Sequence, residues 1–483
     1  MENSTPAPIK DDRRPREAFE LLLSESIQRL HSDRRSGVSN FVGFSSIFSR
    51  LIQTTADPPL EALWFYLALT FRSENMELVK RVSLVKELFG FMVSYSGRVS
   101  GLKKVAALAP VVYELHRLVG DVMFWFSEAR DDVKCLIEGV VSYVSMCCYE
   151  NREDFGGMLK FSPLLMDVVN LWLADKGEVG VGHAGDSRLF FPMVSDEVRA
   201  RIVIGRELGF LAGSVMCEVF LLSLSLECCS EVPRLELQKH LHQQAVQVIA
   251  GFRDLNFFDT LLRMLSEPTL PVTHLVGYAG ESLLREVLCD VATTAQYSIV
   301  LPVNGYQLSE HSTEVALRWL LITEKATHVS RASGYNTKAL YYENAFSESS
   351  IPGQLIDWVT FKTGSKKPVL SSSAALIRWF LAFEDTGLKI VNDPVLKAHM
   401  KAVALNPAFG SFTDADTNNN ETVVGNHNLD QEMADSAYDW CTSPLDDATA
   451  MDGQRKRKED RQHNAYLRAK FIKVHCHGKL ATT

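Results

Sequence analysis

The chain has 483 residues, a formal net charge of −9 and a hydrophobic share of 46%. A chain of this length can bury a large core, and its composition fits a folded protein rather than a wholly disordered one. Its nine cysteines are odd in number and include no C-x-x-C pair, so we expect reduced intracellular thiols rather than a disulfide framework.

Residues 1–14 are polar and proline-containing, and they predict a disordered lead-in that lacks the apolar stretch of a secretory signal. Residues 15–176 then predict an N-terminal helical region, because apolar side chains recur at helical spacing. The predicted helices cover residues 19–30, 38–52, 60–71, 78–92 (after a cap at Ser73), 102–118 (interrupted by Pro110), 122–127, 133–148 and 158–173.

A glycine-rich break over residues 177–194 follows this region. The segment Gly180–Gly185 matches G-x-G-x-x-G, the pattern that binds dinucleotides when a strand precedes it and a helix opens after it. Here a helical pattern precedes the segment and Pro192 follows closely, so a flexible linker is the favoured interpretation. No cofactor is predicted.

The most apolar stretch runs from Glu197 to Cys229 and predicts a helix that is apolar on nearly every face. Residues 208–226 reach the length that a bilayer requires, so a membrane-spanning helix is one interpretation. The other is a helix buried in a large helical protein. The second is favoured because Glu218 lies near the midpoint, where a charge is costly in lipid.

Residues 195–405 predict a C-terminal helical region, with further helices over 235–249, 257–265, 280–298, 310–327, 335–346, 354–361, 372–383 and 394–405. The spacing of turn signals predicts an all-α fold arranged as an irregular α–α superhelix, a solenoid of the HEAT or armadillo type. Since no strict repeat is present, a single irregular all-α domain is the alternative.

The remaining residues differ sharply in charge from this body. Residues 406–453 predict an acidic disordered linker, and Gly410–Gly453 holds ten acids without a lysine or arginine. Residues 454–483 predict a basic helical tail that begins with Arg455, Lys456, Arg457 and Lys458. This cluster is typical of a nuclear localisation signal read by an import receptor. A nucleic-acid contact or a solvated charged helix are the alternatives.

Other candidate sites are weaker. Ser443 precedes a proline and two acids, so it is a candidate phosphorylation site beside the basic cluster. His475–His477 and His240–His242 lack the spacing or the partners of a metal site, and no metal is predicted. Since no catalytic motif is present, we expect no enzyme activity. A catalytic site gathered from distant helices stays the alternative.

The chain resembles the leucine-rich helical scaffold proteins of plant nuclei in its general sequence character. Three segments carry the resemblance: Leu60–Phe71, Leu208–Leu226 and Arg455–Lys458. The chain is similar in particular to the helical accessory subunits of the structural-maintenance-of-chromosomes complex used in DNA repair. The resemblance implies a non-catalytic subunit that folds against a protein partner.

These observations together predict a nuclear scaffold or adaptor that acts through protein–protein interaction in chromatin maintenance or DNA repair. The cytoplasm is the alternative location, and a helical protein anchored in a membrane through residues 208–226 is the alternative function. The partners expected are a protein in a multi-subunit complex, an import receptor and, through the basic tail only, nucleic acid. No small-molecule substrate is evident. Because aromatic side chains anchor interfaces, four tryptophans are worth checking for exposure, although burial in the core is the favoured interpretation of each: Trp64, Trp125, Trp358 and Trp379.

Overall fold

A computed structural model describes residues 20–29, 32, 46–50, 52, 60–70, 77–95, 99–124, 129–150, 163–165, 202, 208–228, 232–294, 310–370, 372–387 and 389–405. Throughout these ranges the regular structure is helical and no strand occurs, which confirms the predicted all-α class. The chain divides into two compact units, Met1–Ala415 and Asp416–Thr483, and every described residue belongs to the first.

The first helices after residue 59 are α1 (Leu60–Thr70), α2 (Leu78–Ser94), α3 (Gly101–Ala106), α4 (Ala109–Phe124) and α5 (Arg130–Glu150). Helix α2 buries one stripe of side chains at the three- and four-residue spacing of an amphipathic helix. These side chains are Val82, Val85, Leu88, Phe89 and Met92. The opposite face of α2 carries exposed charges, as expected of a helix at the surface of a core.

The apolar stretch forms α6 (Leu208–Cys228), which lies at the centre of the described core. It contacts α3, α4 and α5, and also α7 (Arg234–Phe252), α8 (Leu255–Ser266) and α9 (Thr273–Thr294). Every residue from Phe210 to Leu226 is buried. A helix that packs against six others has no face in contact with water, which explains why its sequence is apolar on every side.

By length and composition, α6 is the one helix in the described parts of the chain that could cross a membrane. However, 94% of its most apolar window is buried inside the protein, and Glu218 within it is only 1% exposed. This burial favours the interpretation of α6 as a core helix.

A second set of helices packs around α10 (Glu310–Ala332), which contacts α8 and α9. It also contacts α11 (Asn336–Glu348), α12 (Ser350–Thr363), α13 (Ser373–Asp385) and α14 (Pro394–Leu405). Serine caps begin two of these helices, since Ser349 Oγ accepts from the Ile351 amide and Ser372 Oγ from the Ala375 amide.

The structure corrects some predicted helix limits. The predicted interruption of the helix over 102–118 is present, since a turn at residues 107–108 separates α3 from α4 just before Pro110. Pro110 itself lies in the first turn of α4, where a missing N–H costs little, and α4 continues to Phe124 through the start of the helix predicted from Val122. The helix predicted over 280–298 begins earlier, at Thr273, and bends at Gly277, whose φ of 68° favours glycine.

The contacts around α6 and α10 join helices that are far apart in sequence. In a solenoid each repeat mainly contacts its neighbours. Two helices that each have six neighbours are more typical of an irregular all-α domain, which was the alternative from the sequence. The predicted superhelix is not established by these contacts and stays a prediction.

Candidate functional site

Four buried charged side chains form a closed ring of ion pairs. Within α8, Arg263 Nε donates to Asp259 Oδ2 at 3.0 Å. Arg318 of α10 donates from Nη1 to Asp259 Oδ1 at 2.9 Å, and its Nη2 pairs with Asp393 Oδ2. Arg263 Nη1 closes the ring at 3.5 Å from Asp393 Oδ2. The ring therefore joins α8, α10 and the residue that precedes α14.

The ring keeps both carboxyl groups ionised. Burial alone would raise the pKa of Asp259, but His311 and the two guanidinium groups lower it well below its usual range. Burial likewise opposes the ionisation of Asp393, whose pKa is nevertheless lowered, most strongly by Arg318. A carboxyl group that stays ionised at neutral pH cannot serve as a general acid. Because each carboxylate is buried and pairs with two guanidinium groups, we interpret the ring as a connection between helices.

A second polar cluster connects α9 and α11. The Tyr342 hydroxyl donates to Asp290 Oδ1, and Lys338 Nζ lies 2.7 Å from Glu286 Oε1 and 3.2 Å from Asp290 Oδ2. Burial and the adjacent Asp290 raise the pKa of Tyr342 far above its usual value. Burial would lower the pKa of Lys338, but the two carboxylates raise it. Tyrosine and lysine therefore keep their protons, and neither is prepared to act as a base or a nucleophile.

The described cysteines are free thiols, and burial makes two of them poor nucleophiles. All six that lie in the described ranges are free thiols, as the sequence predicted: Cys135, Cys147, Cys148, Cys217, Cys228 and Cys289. Burial raises the pKa of Cys217 well above its usual value and that of Cys289 to about 11. Since the thiolate is the reactive form, these two side chains behave as core residues.

A different kind of site lies where α12 ends. Phe361 is 73% exposed, and Val369, in the connection that follows, is fully exposed. Gly364 ends the helix with a φ of 66°, which turns the chain into this connection. We call this region the α12 surface, and define it by Asp357, Phe361, Lys362, Lys366, Lys367 and Val369.

Contacts within the α12 surface hold two of its lysines in place. Lys362 Nζ lies 4.1 Å from the centre of the Trp358 ring, a cation–π contact with a tryptophan that is otherwise buried. Lys367 Nζ pairs with Asp357 Oδ1 at 2.5 Å. Asp357 and Phe361 are four residues apart on α12, so they share one helix face. The Lys367–Asp357 ion pair thus brings the connection back to the helix face that also carries Phe361.

From Phe361 onward, the described sequence exposes more basic than acidic side chains. Across the described positions of 361–405, the exposed basic side chains are Lys362, Lys366, Lys367, Arg378, Lys389 and Lys401. The exposed acidic side chain in the same positions is Asp385. The chain as a whole has a net charge of −9, so this segment is locally positive in a chain that is negative overall.

The sites predicted from the sequence are only partly within the described residues. Arg455, Lys456, Arg457, Lys458 and Ser443 lie outside them, as do Gly180–Gly185, His475–His477 and Trp125. Trp64 and Trp358 are buried and Trp379 is half-buried, so none of these three is an exposed anchor. His240 lies 3.7 Å from Glu227, and burial lowers the pKa of His242. Within the described ranges, no three His, Cys, Asp or Glu side chains are grouped to hold a metal ion.

The sequence did not identify Phe361 as a site residue, because a single sequence does not distinguish an exposed phenylalanine from a buried one. The signal that could have found it was Lys366-Lys367-Pro368, a short basic run directly after a helix. No protein-family model matches the chain, and no match exists among curated proteins or solved structures. The function is therefore argued from the site itself.

Proposed function

We propose that this protein is a non-catalytic scaffold or adaptor that binds a protein partner through the α12 surface. The single observation that carries the proposal is the exposure of Phe361 and Val369, two large apolar side chains in a segment that also holds Lys362, Lys366 and Lys367. Large apolar side chains surrounded by polar ones are typical of interaction sites, and aromatic residues contribute most of the binding energy.

The chemistry of the surface indicates the kind of partner. Lysines near the exposed Phe361 and Val369 can bind an acidic segment that contributes an apolar side chain of its own. The opposite charges would steer association, and the apolar contact would stabilise the complex. Asp357 already pairs with Lys367, whereas Lys366 is exposed on the same connection. We therefore propose an acidic protein segment as the ligand, rather than a small molecule.

We propose the nucleus as the location because of the basic cluster Arg455–Lys458. We also propose that the protein is part of a multi-subunit complex, as the resemblance implies. Chromatin maintenance or DNA repair is the pathway in which such a subunit would act. The α–α superhelix remains the proposed finer arrangement of the whole helical part.

Replacing Phe361 with glutamate is expected to weaken capture of the partner by at least about thirtyfold, the effect of losing an interface anchor worth about 2 kcal/mol. The substitution also places a negative charge among the lysines. The measurement is quantitative mass spectrometry of proteins that copurify with the tagged full-length chain. Val79→Glu is the matched control, since Val79 is 69% exposed on α2. Equal loss with both variants, or no loss with Phe361→Glu, would contradict the proposed surface.

Replacing Arg455, Lys456, Arg457 and Lys458 together with alanine is expected to shift the fluorescently tagged protein from the nucleus to the cytoplasm, because an import receptor reads clustered charge. The nuclear fraction is measured by imaging, with Arg461→Ala and Arg468→Ala as the control. A second variant, Ser443→Asp, tests whether added negative charge beside the cluster matters. Unchanged nuclear accumulation in the quadruple variant would remove the localisation signal from the proposal.

A further inference from the structure

Two histidines from distant parts of the chain face each other at the surface. His116 lies on α4, and His274 lies in the first turn of α9, 158 positions later. Their Nε2 atoms are 3.2 Å apart, and their ring centres are 5.2 Å apart. The helices approach closely here, since a Cβ on Gly120 would lie 3.8 Å from Leu275 Cδ2.

The backbone orients one of these rings. His274 Nδ1 lies 2.9 Å from the carbonyl oxygen of Pro271. Because a carbonyl oxygen can only accept, Nδ1 carries the hydrogen in this contact, and the Nε2 lone pair of His274 accepts a hydrogen bond from Nε2–H of His116. A metal ion bound to both Nε2 atoms would replace this shared hydrogen, which would move to Nδ1 of His116 or to solvent. A second-shell contact of this kind is the usual arrangement of a histidine that binds a metal.

The distance between the two nitrogens fits one metal ion. With metal–nitrogen bonds of about 2.0–2.1 Å, two Nε2 atoms 3.2 Å apart subtend an angle of about 100° at the ion, close to tetrahedral. His274 is exposed, so water can reach the ion and complete its coordination. Imidazole nitrogen is a ligand that suits zinc, copper and nickel rather than magnesium or calcium.

We propose that His116 and His274 form a two-histidine site for a divalent transition-metal ion, which joins α4 to the start of α9 and has water as its remaining ligands. Binding would stabilise the contact between segments that are far apart in sequence, since the metal binds the folded chain and not the separated histidines. The inference is independent of the proposed partner surface, because neither histidine lies on α12.

The test uses Zn²⁺ alone with the full-length chain in a buffer that does not chelate metals. All proteins carry His475→Ala and His477→Ala, so that the terminal histidines contribute no binding. Isothermal titration is expected to show one Zn²⁺ per chain, and either His116→Ala or His274→Ala is expected to weaken that binding at least about tenfold, since a ligand is lost. His399→Ala, an exposed histidine on α14, is expected to change nothing.

The melting temperature distinguishes this site from Zn²⁺ bound elsewhere. Zn²⁺ is expected to raise the melting temperature of the background protein, but not that of either single variant, because only the paired site connects two helices. Circular dichroism without metal checks that both variants fold. Binding that is unchanged in His116→Ala and His274→Ala, or no stoichiometric binding to the background protein, would overturn the proposal.

Discussion

Replacing Arg318 with methionine is expected to lower the free energy of unfolding by about 3–5 kcal/mol, the cost of removing one partner from a buried group of ion pairs. The substitution removes a guanidinium group that pairs with both Asp259 and Asp393, which are themselves buried. Methionine keeps much of the volume and a similar helix propensity, so the loss reports the charge. The measurement is chemical denaturation followed by circular dichroism.

The control for this prediction is an ion pair between a basic side chain and an aspartate at the surface. Lys86 Nζ lies 2.7 Å from Asp132 Oδ1, and both side chains are largely exposed. Since water already solvates both charges, Lys86→Met is expected to cost less than about 1 kcal/mol. If Arg318→Met and Lys86→Met had equally small effects, the ring could not be the buried connection between α8, α10 and α14.

Replacing Gly213 with alanine is expected to destabilise the protein by about 2 kcal/mol or more, although alanine favours a helix over glycine by about 1 kcal/mol. A Cβ on Gly213 would lie 2.6 Å from the carbonyl carbon of Asn256 and 2.8 Å from the Phe257 nitrogen. These are backbone atoms at the start of α8, so no side-chain rotation can relieve the contact. Helices α6 and α8 would have to separate.

Gly120→Ala is the matched control for Gly213→Ala, because Gly120 is also inside a helix. Its Cβ would be 3.8 Å from Leu275 Cδ2, an ordinary contact. Here the helix propensity of alanine is expected to prevail and to stabilise the protein by up to about 1 kcal/mol. Thermal unfolding of the two variants should therefore shift in opposite directions. A shift of both toward higher temperature would show that α6 and α8 are less closely packed than described.

The sequence predicted the helices well where one segment contains all the information. The apolar run at 208–226 predicted a buried helix, and the proline at 394 marked the start of α14, which ends at Leu405 as predicted. Pro110 predicted the break between α3 and α4 but not its exact position, since the turn lies at residues 107–108 and Pro110 belongs to the first turn of α4.

Contacts between segments could not be predicted from the sequence. Asp259 and Arg263 are four residues apart and could be recognised as a helical pair, but nothing local connects them to Arg318 or Asp393. In the sequence, Gly213 is only a small residue inside an apolar helix. Its role depends on the backbone of α8, which packs against it.

The central claim, that the protein acts by binding another protein, is tested most directly by measuring stoichiometry. The tagged full-length chain would be purified from nuclear and from total extracts, and its copurifying proteins quantified by mass spectrometry. We predict one partner in stoichiometric amount, enriched in the nuclear extract, with an acidic segment that binds the wild-type chain and is released by Phe361→Glu. A well-behaved monomer that copurifies with no protein from either extract would contradict the account.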